Sequence, residues 1–98
     1  MQTDEFEWDN AKAETNSIKH KVSFADATFA FDDQDAIDDV DLSDRYDEVR
    51  YKLIGRSGRR LLVVIYTERA HRKRIISARE AESHEQFRYE KRRGIGGP

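Results

Sequence analysis

A chain of 98 residues fits one small domain and leaves no room for two independent cores. It has no cysteine, which excludes a disulfide scaffold and a thiolate zinc site, and no apolar run approaches the ~18 residues needed to span a bilayer. The net charge of −2 averages two opposed halves: residues 1–48 carry 15 acids and 4 bases, residues 49–98 carry 5 acids and 14 bases.

Glu5 to Trp8 reads as a short strand, with Phe6 and Trp8 on one face. Asp9 caps a helix from Asn10 to about His20, whose thin apolar stripe holds Ala11 and Ile18. Ser23 opens a second helix, with Asp26 at capping-box spacing and Phe24, Ala27, Thr28 and Phe31 on one face. Residues 32–47 hold eight aspartates and read as an acidic connection, with room for a short strand around Ala36–Val40. The calcium-loop pattern fails there, because the required Gly and the closing Glu are both missing.

The second half has clearer periodicity. Val49 to Arg56 alternates as a strand, and Ser57-Gly58 is a turn signal. Arg60 to Thr67 is apolar on both faces, as a central strand covered on each side should be. This run and the aromatic content argue against disorder, despite 39% charged residues. A turn at Glu68–Ala70 leads into a third strand, His71–Arg79, and then a helix from Glu80 to Arg93 that presents Ala81, His84, Phe87 or Arg88, and Lys91. The order β-α-α-β-β-β-α predicts an α+β domain over residues 1–93, an antiparallel meander with helices on one face. Residues 94–98 are expected to fray. The acidic N-terminus lacks a signal region, so a cytoplasmic protein is expected.

The meander carries Arg50, Arg56, Arg59, Arg60, Arg69, Arg72, Arg74 and Arg79. Guanidinium forks donate paired hydrogen bonds to phosphate, so a sheet face lined with them suits a nucleic-acid backbone. Pairing of these arginines with the acidic half is the competing explanation. Tyr51, Tyr66, Phe87 and Tyr89 could stack bases or fill the core. The proton-transfer candidates are His20, Glu68, His71, His84, Glu90 and Tyr89, of which Glu68 and His71 flank the turn beside the arginine-rich strand. RNA carries its own nucleophile, the 2′-hydroxyl, so cations with an acid and a base suffice for cleavage, and no metal or cofactor is expected. No Walker loop and no Gly-x-Ser-x-Gly elbow is present.

These residues also carry a family resemblance. Phe6-Glu7-Trp8-Asp9, Lys12, Asn16, Lys19-His20 and Val22-Ser23-Phe24 resemble the start of the BrnT toxins. So do Ile54-Gly55-Arg56-Ser57, Leu61 to Val64, Tyr66-Thr67-Glu68-Arg69, Arg74 to Arg79, Ala81 and Tyr89-Glu90. The resemblance implies a RelE-like fold and a ribonuclease toxin of a type II toxin–antitoxin system. It also implies a DNA-binding antitoxin of the BrnA type, which caps the toxin in a hetero-oligomer and carries it to promoter DNA. On matching positions it implicates Trp8, Lys19, His20, Glu68, Arg69, Arg74, Arg79 and Tyr89. We assign Arg74 and Arg79 to phosphate and Glu68 or His20 as base, with Trp8, Lys19, Arg56, Arg69, His71 and Tyr89 as RNA contacts. A non-catalytic RNA-binding or partner-binding module of the same fold is the alternative. Arg74 and Arg79 are an odd number of residues apart, so they share a site only if Arg79 lies past the strand end. The aspartate-rich stretch is expected to sit away from the RNA face.

Overall fold

The computed structural model describes residues 1–42 and 48–94, so part of the predicted acidic connection and nearly all of the predicted tail lie outside the described residues. The elements are β1 (Phe6–Glu7), α1 (Asn10–His20), α2 (Phe24–Phe29) with a 3-10 turn at Ala30–Asp32, β2 (Ile37–Val40), β3 (Tyr51–Ser57), β4 (Arg60–Arg69), β5 (Arg72–Glu80) and α3 (Ser83–Arg92). The α+β class and the meander β3-β4-β5 are as predicted. The sheet itself is larger and mixed: five strands in the order β1-β5-β4-β3-β2, with β1 parallel to β5. The optional strand at Ala36–Val40 is real and forms one edge as β2.

The central position of β4 follows from its composition. Alternation sends Leu62, Val64 and Tyr66 to one face and Leu61, Val63 and Ile65 to the other, and both faces are covered. The first face packs against Val22, Phe24, Ala27 and Ala30, with Trp8 and Phe31 at its margin. The second packs against Ala81 and Tyr89, so α3 lies on the opposite side from α1 and α2. The expectation that the helices cover a single face is therefore corrected: an apolar β4 needs a cover on each side, and α3 supplies the second one.

Local signals set the element ends. The Asp9 carboxylate accepts from the Lys12 N–H, and the Ser23 hydroxyl from the Asp26 N–H. Gly58 takes positive φ in the two-residue loop between β3 and β4, where a side chain would be strained. On α1 the expected stripe is wrong, since Ile18 is 68% exposed while Asn16 is buried. The Asn16 amide donates to the Val22 and Ala78 carbonyls and accepts from the Ala78 N–H. It thus satisfies the edge of β5 where β1 no longer runs.

The ladder between β4 and β5 contains a bulge. Ile65 pairs with Ser77 but Tyr66 pairs with Ile75, leaving Ile76 as an extra residue. Arg79 does not lie past the strand end, as β5 runs to Glu80. The bulge restores the parity instead. Arg74 is opposite Thr67 and Arg79 opposite Val63, four residues apart on β4, so both arginines stand on the α3 face.

Candidate phosphate cleft on the sheet face beside the last helix

The part of this face that α3 leaves open forms a cleft of about 500 Å³, lined by Arg50, Lys52, Ser77, Arg79, His84 and Glu85 among others. Lys52 is on β3, Arg79 on β5, and His84 and Glu85 are in the first turn of α3. Glu85 organises the group, with its side chain only 2% exposed. Arg79 donates from both terminal nitrogens to the two Glu85 oxygens at 2.7 and 2.8 Å. The Lys52 ammonium lies 2.8 Å from Oε2, and the Glu82 N–H donates to Oε1 at 2.8 Å. The Arg79 fork holds the Glu85 carboxyl well below the usual carboxylate range, against the opposing effect of burial, and Lys52 adds to it. In return, the hydrogen bonds to Glu85 raise the Arg79 pKa. Two cations are thus fixed in place with about a third of each side chain still open to solvent. The His84 imidazole stands at the rim, its Nε2 3.9 Å from Glu85.

Glu82, His84 and Glu85 bring ligand atoms close enough for a metal ion. The donor set does not suit one. Both Glu85 oxygens already accept from Arg79, and the adjacent guanidinium and ammonium would repel a cation. The same cations suit an anion.

The predicted catalytic set does not converge. Glu68 is exposed near the hairpin tip, opposite Lys73, six residues or roughly 20 Å along β5 from Arg79. Arg74 is held by Glu7 at 2.7 Å, about 15 Å from Arg79. His20, with Lys19, lines a separate cleft between α1 and β5. Arg69 and His71 are exposed at the hairpin tip.

Of the proposed RNA contacts, Tyr89 is corrected because it is buried, and Trp8 is half-buried against the core. Tyr89 is 1% exposed, with its hydroxyl donating to Asp33 at 2.6 Å, so its ring cannot stack on a base. Trp8 packs edge-on against Phe24 at the margin of the core. Arg56 lies over the Tyr89 ring and 3.5 Å from Glu90, in a third cleft with Arg59 and Arg60.

Sequence reasoning missed Lys52 and Glu85 and set His84 aside. On α3 the inward positions are Glu85 and Tyr89, in line with buried Ala81 just before the helix, whereas His84, Phe87 and Arg88 are exposed. The available signal was the i, i+4, i+8 spacing of Ala81, Glu85 and Tyr89, which a charged residue at its centre disguised.

Among the described aspartates, several have partners away from this cleft. Asp33 accepts from Tyr89, Asp35 lies by Arg93, and Asp39 by Arg88, all on the β2 side of the sheet. Asp41 lines the cleft, and Asp39 is also the cross-strand partner of Lys52, so the expectation that the acidic stretch stays away from this face holds only in part. Among the described residues no helix is long and apolar enough to cross a membrane.

A family model described as the ribonuclease toxin BrnT of type II toxin–antitoxin systems matches residues 8–85. No curated protein matches the chain. The matched span runs from Trp8, at the end of β1, to Glu85, and so takes in Lys52, Arg79 and His84 as well as Glu85. A match over this much of the chain settles its kinship: the protein belongs to the BrnT family of ribonuclease toxins, whose type II systems pair each toxin with an antitoxin.

Proposed function

We propose that the protein is an endoribonuclease toxin of RelE-like fold that cleaves RNA without a metal, in the cleft beside α3. The observation that carries this reading is the pair Arg79 and Lys52, both anchored on buried Glu85 and both still open to the cleft. The pair presents two fixed positive charges to a phosphodiester, the arrangement that stabilises a pentacoordinate phosphorane. His84 takes the 2′-hydroxyl proton, since a ring nitrogen of its imidazole can accept a proton in the cleft that holds Arg79. The 2′-oxygen bonds to phosphorus and the 5′-oxygen leaves, taking a proton from water at the open cleft mouth. The products are a 2′,3′-cyclic phosphate and a 5′-hydroxyl. Arg74, about 15 Å along the same face, contacts a phosphate two or three nucleotides away. Glu68 and His20 are thereby replaced as base by His84, the imidazole that shares a cleft with Arg79.

The rest of the reading rests on the family. The toxin acts in the cytoplasm, arrests growth when expressed alone, and is neutralised by a BrnA-type antitoxin that binds promoter DNA. The test is cleavage of RNA in EDTA by the wild type, His84→Ala and Arg79→Ala. Loss of His84 should lower the rate by roughly 10²–10⁴ with little change in melting temperature. Salt-dependent RNA binding by the wild type with no cleavage would favour the non-catalytic module.

A further inference from the structure

The α1 cleft shares Ile76 and Ser77 with the α3 cleft, so the two meet at the β5 bulge. They meet there because β1 pairs only with Lys73 and Arg74, which leaves this part of the β5 edge without a neighbouring strand. Their linings differ in chemistry. The α3 cleft is walled by charged groups, as a phosphate requires. The α1 cleft, about 350 Å³, has Ala11 and Ile76 in its wall and Lys12, Lys19 and His20 around it. Lys12 and Lys19 are exposed and form no ion pair with an acid among the described residues. Asn16 also lines this cleft, but both of its amide hydrogens are committed to the Val22 and Ala78 carbonyls, so it has no donor left for a ligand.

From this we infer that the α1 cleft is a nucleotide subsite. It seats one unpaired RNA base flanking the scissile phosphate against Ala11 and Ile76, with Lys12 and Lys19 on the adjoining phosphates. The inference rests on the cleft beside α3 being the RNA site. An apolar slot with a cationic rim accepts a base and its backbone together, and every base offers a π-face to it, so the subsite is tolerant of sequence. It anchors RNA by binding and takes no part in the bond change.

The test uses a 2′-O-methyl RNA octamer, which cannot be cleaved, and measures its affinity for the full chain against salt concentration. Lys12→Ala with Lys19→Ala should weaken binding about tenfold and flatten the salt dependence by about 1.4 in log–log slope, or ~0.7 for each phosphate that is no longer neutralised. Ala11→Trp, which fills the slot from an exposed helix position, should weaken binding with no change of slope. On cleavable RNA both variants should raise KM and leave kcat unchanged. Unchanged affinity in either variant, or a kcat loss with KM unchanged, overturns the subsite. Wild-type binding with these variant effects but no cleavage would sink the ribonuclease reading while leaving the subsite intact.

Discussion

Replacing Glu85 with Gln keeps the shape of the side chain and one acceptor but removes the charge that Arg79 and Lys52 share. Breaking a buried ion pair from one side costs roughly 3–5 kcal/mol. Here both cations are still about a third exposed, so water screens them and the cost falls to about 2 kcal/mol. For a chain of this size that is a drop of ~8–16 °C in melting temperature. The pH dependence identifies the charge as the cause. The folded Glu85 carboxyl lies far below its ordinary value of 4.5, with the Arg79 hydrogen bonds as the main reason. A depressed carboxyl contributes stability that is complete above the unfolded value and shrinks as pH falls toward the folded one. The gap between wild type and Glu85→Gln should therefore be full at pH 7 and narrow by about 1 kcal/mol between pH 4.5 and 3.5. Urea unfolding of both proteins at pH 7, 4.5 and 3.5 measures this directly. A gap of equal size at all three values, or no gap at pH 7, would refute the claim that the ionised carboxylate holds the two cations. The variant should also lose RNA cleavage through kcat, because cations without a fixed seat must be ordered by the substrate.

Three further substitutions test the scaffold around the clefts. Asn16→Ala should destabilise by about 2–4 kcal/mol in urea melts, since the Ala78 N–H and the Ala78 and Val22 carbonyls lose their side-chain partner. Gly55→Ala should cost about 2 kcal/mol, because the added Cβ would lie 2.6 Å from the Ala30 carbonyl oxygen and 3.2 Å from the Ala36 Cβ. Burial, together with the bond to Asp33, pushes the Tyr89 hydroxyl up to about 12. The neutral phenol therefore stabilises the fold below pH 10, and this contribution fades between pH 10 and 12. Tyr89→Phe should lose about 1 kcal/mol at pH 7 and show a shallower decline over that alkaline window.

The elements that were legible in the sequence are those whose period matches their burial. The run from Leu61 to Tyr66 is apolar at every position, and it lies at the centre of the sheet with a cover on each side. Asp9 and Ser23 announce their helices by cap chemistry that is local and short-ranged. What was illegible depends on distant partners. The parallel pairing of β1 with β5 joins residues nearly seventy apart, and nothing in Phe6-Glu7 encodes it locally. Asn16 looks like a surface residue until Ala78 is beside it. The insertion of Ile76 leaves no mark in a segment where Ile75 and Ile76 are both apolar, yet it decides which arginines share a face.

The charge sorting along the chain has two causes, and the structure separates them. Some of it is neutralised between the halves: Arg74 meets Glu7, Arg88 meets Asp39 and Arg93 meets Asp35. Had all the arginines been spent in this way, the basic half would need no outside anion. The cleft beside α3 behaves differently. Lys52 and Arg79 are held by Glu85, an acid of the same half, and one carboxylate faces both an ammonium and a guanidinium. Arg50, Lys52 and Arg79 are matched in number by Asp41, Glu82 and Glu85 in the cleft wall, so the wall offers fixed cations on an open sheet face without a net excess of charge. Lys52 stands opposite Asp39 of β2 while Arg79 lies two strands away, and two cations oriented by a buried anion and still solvent-accessible are what a phosphate-binding surface requires.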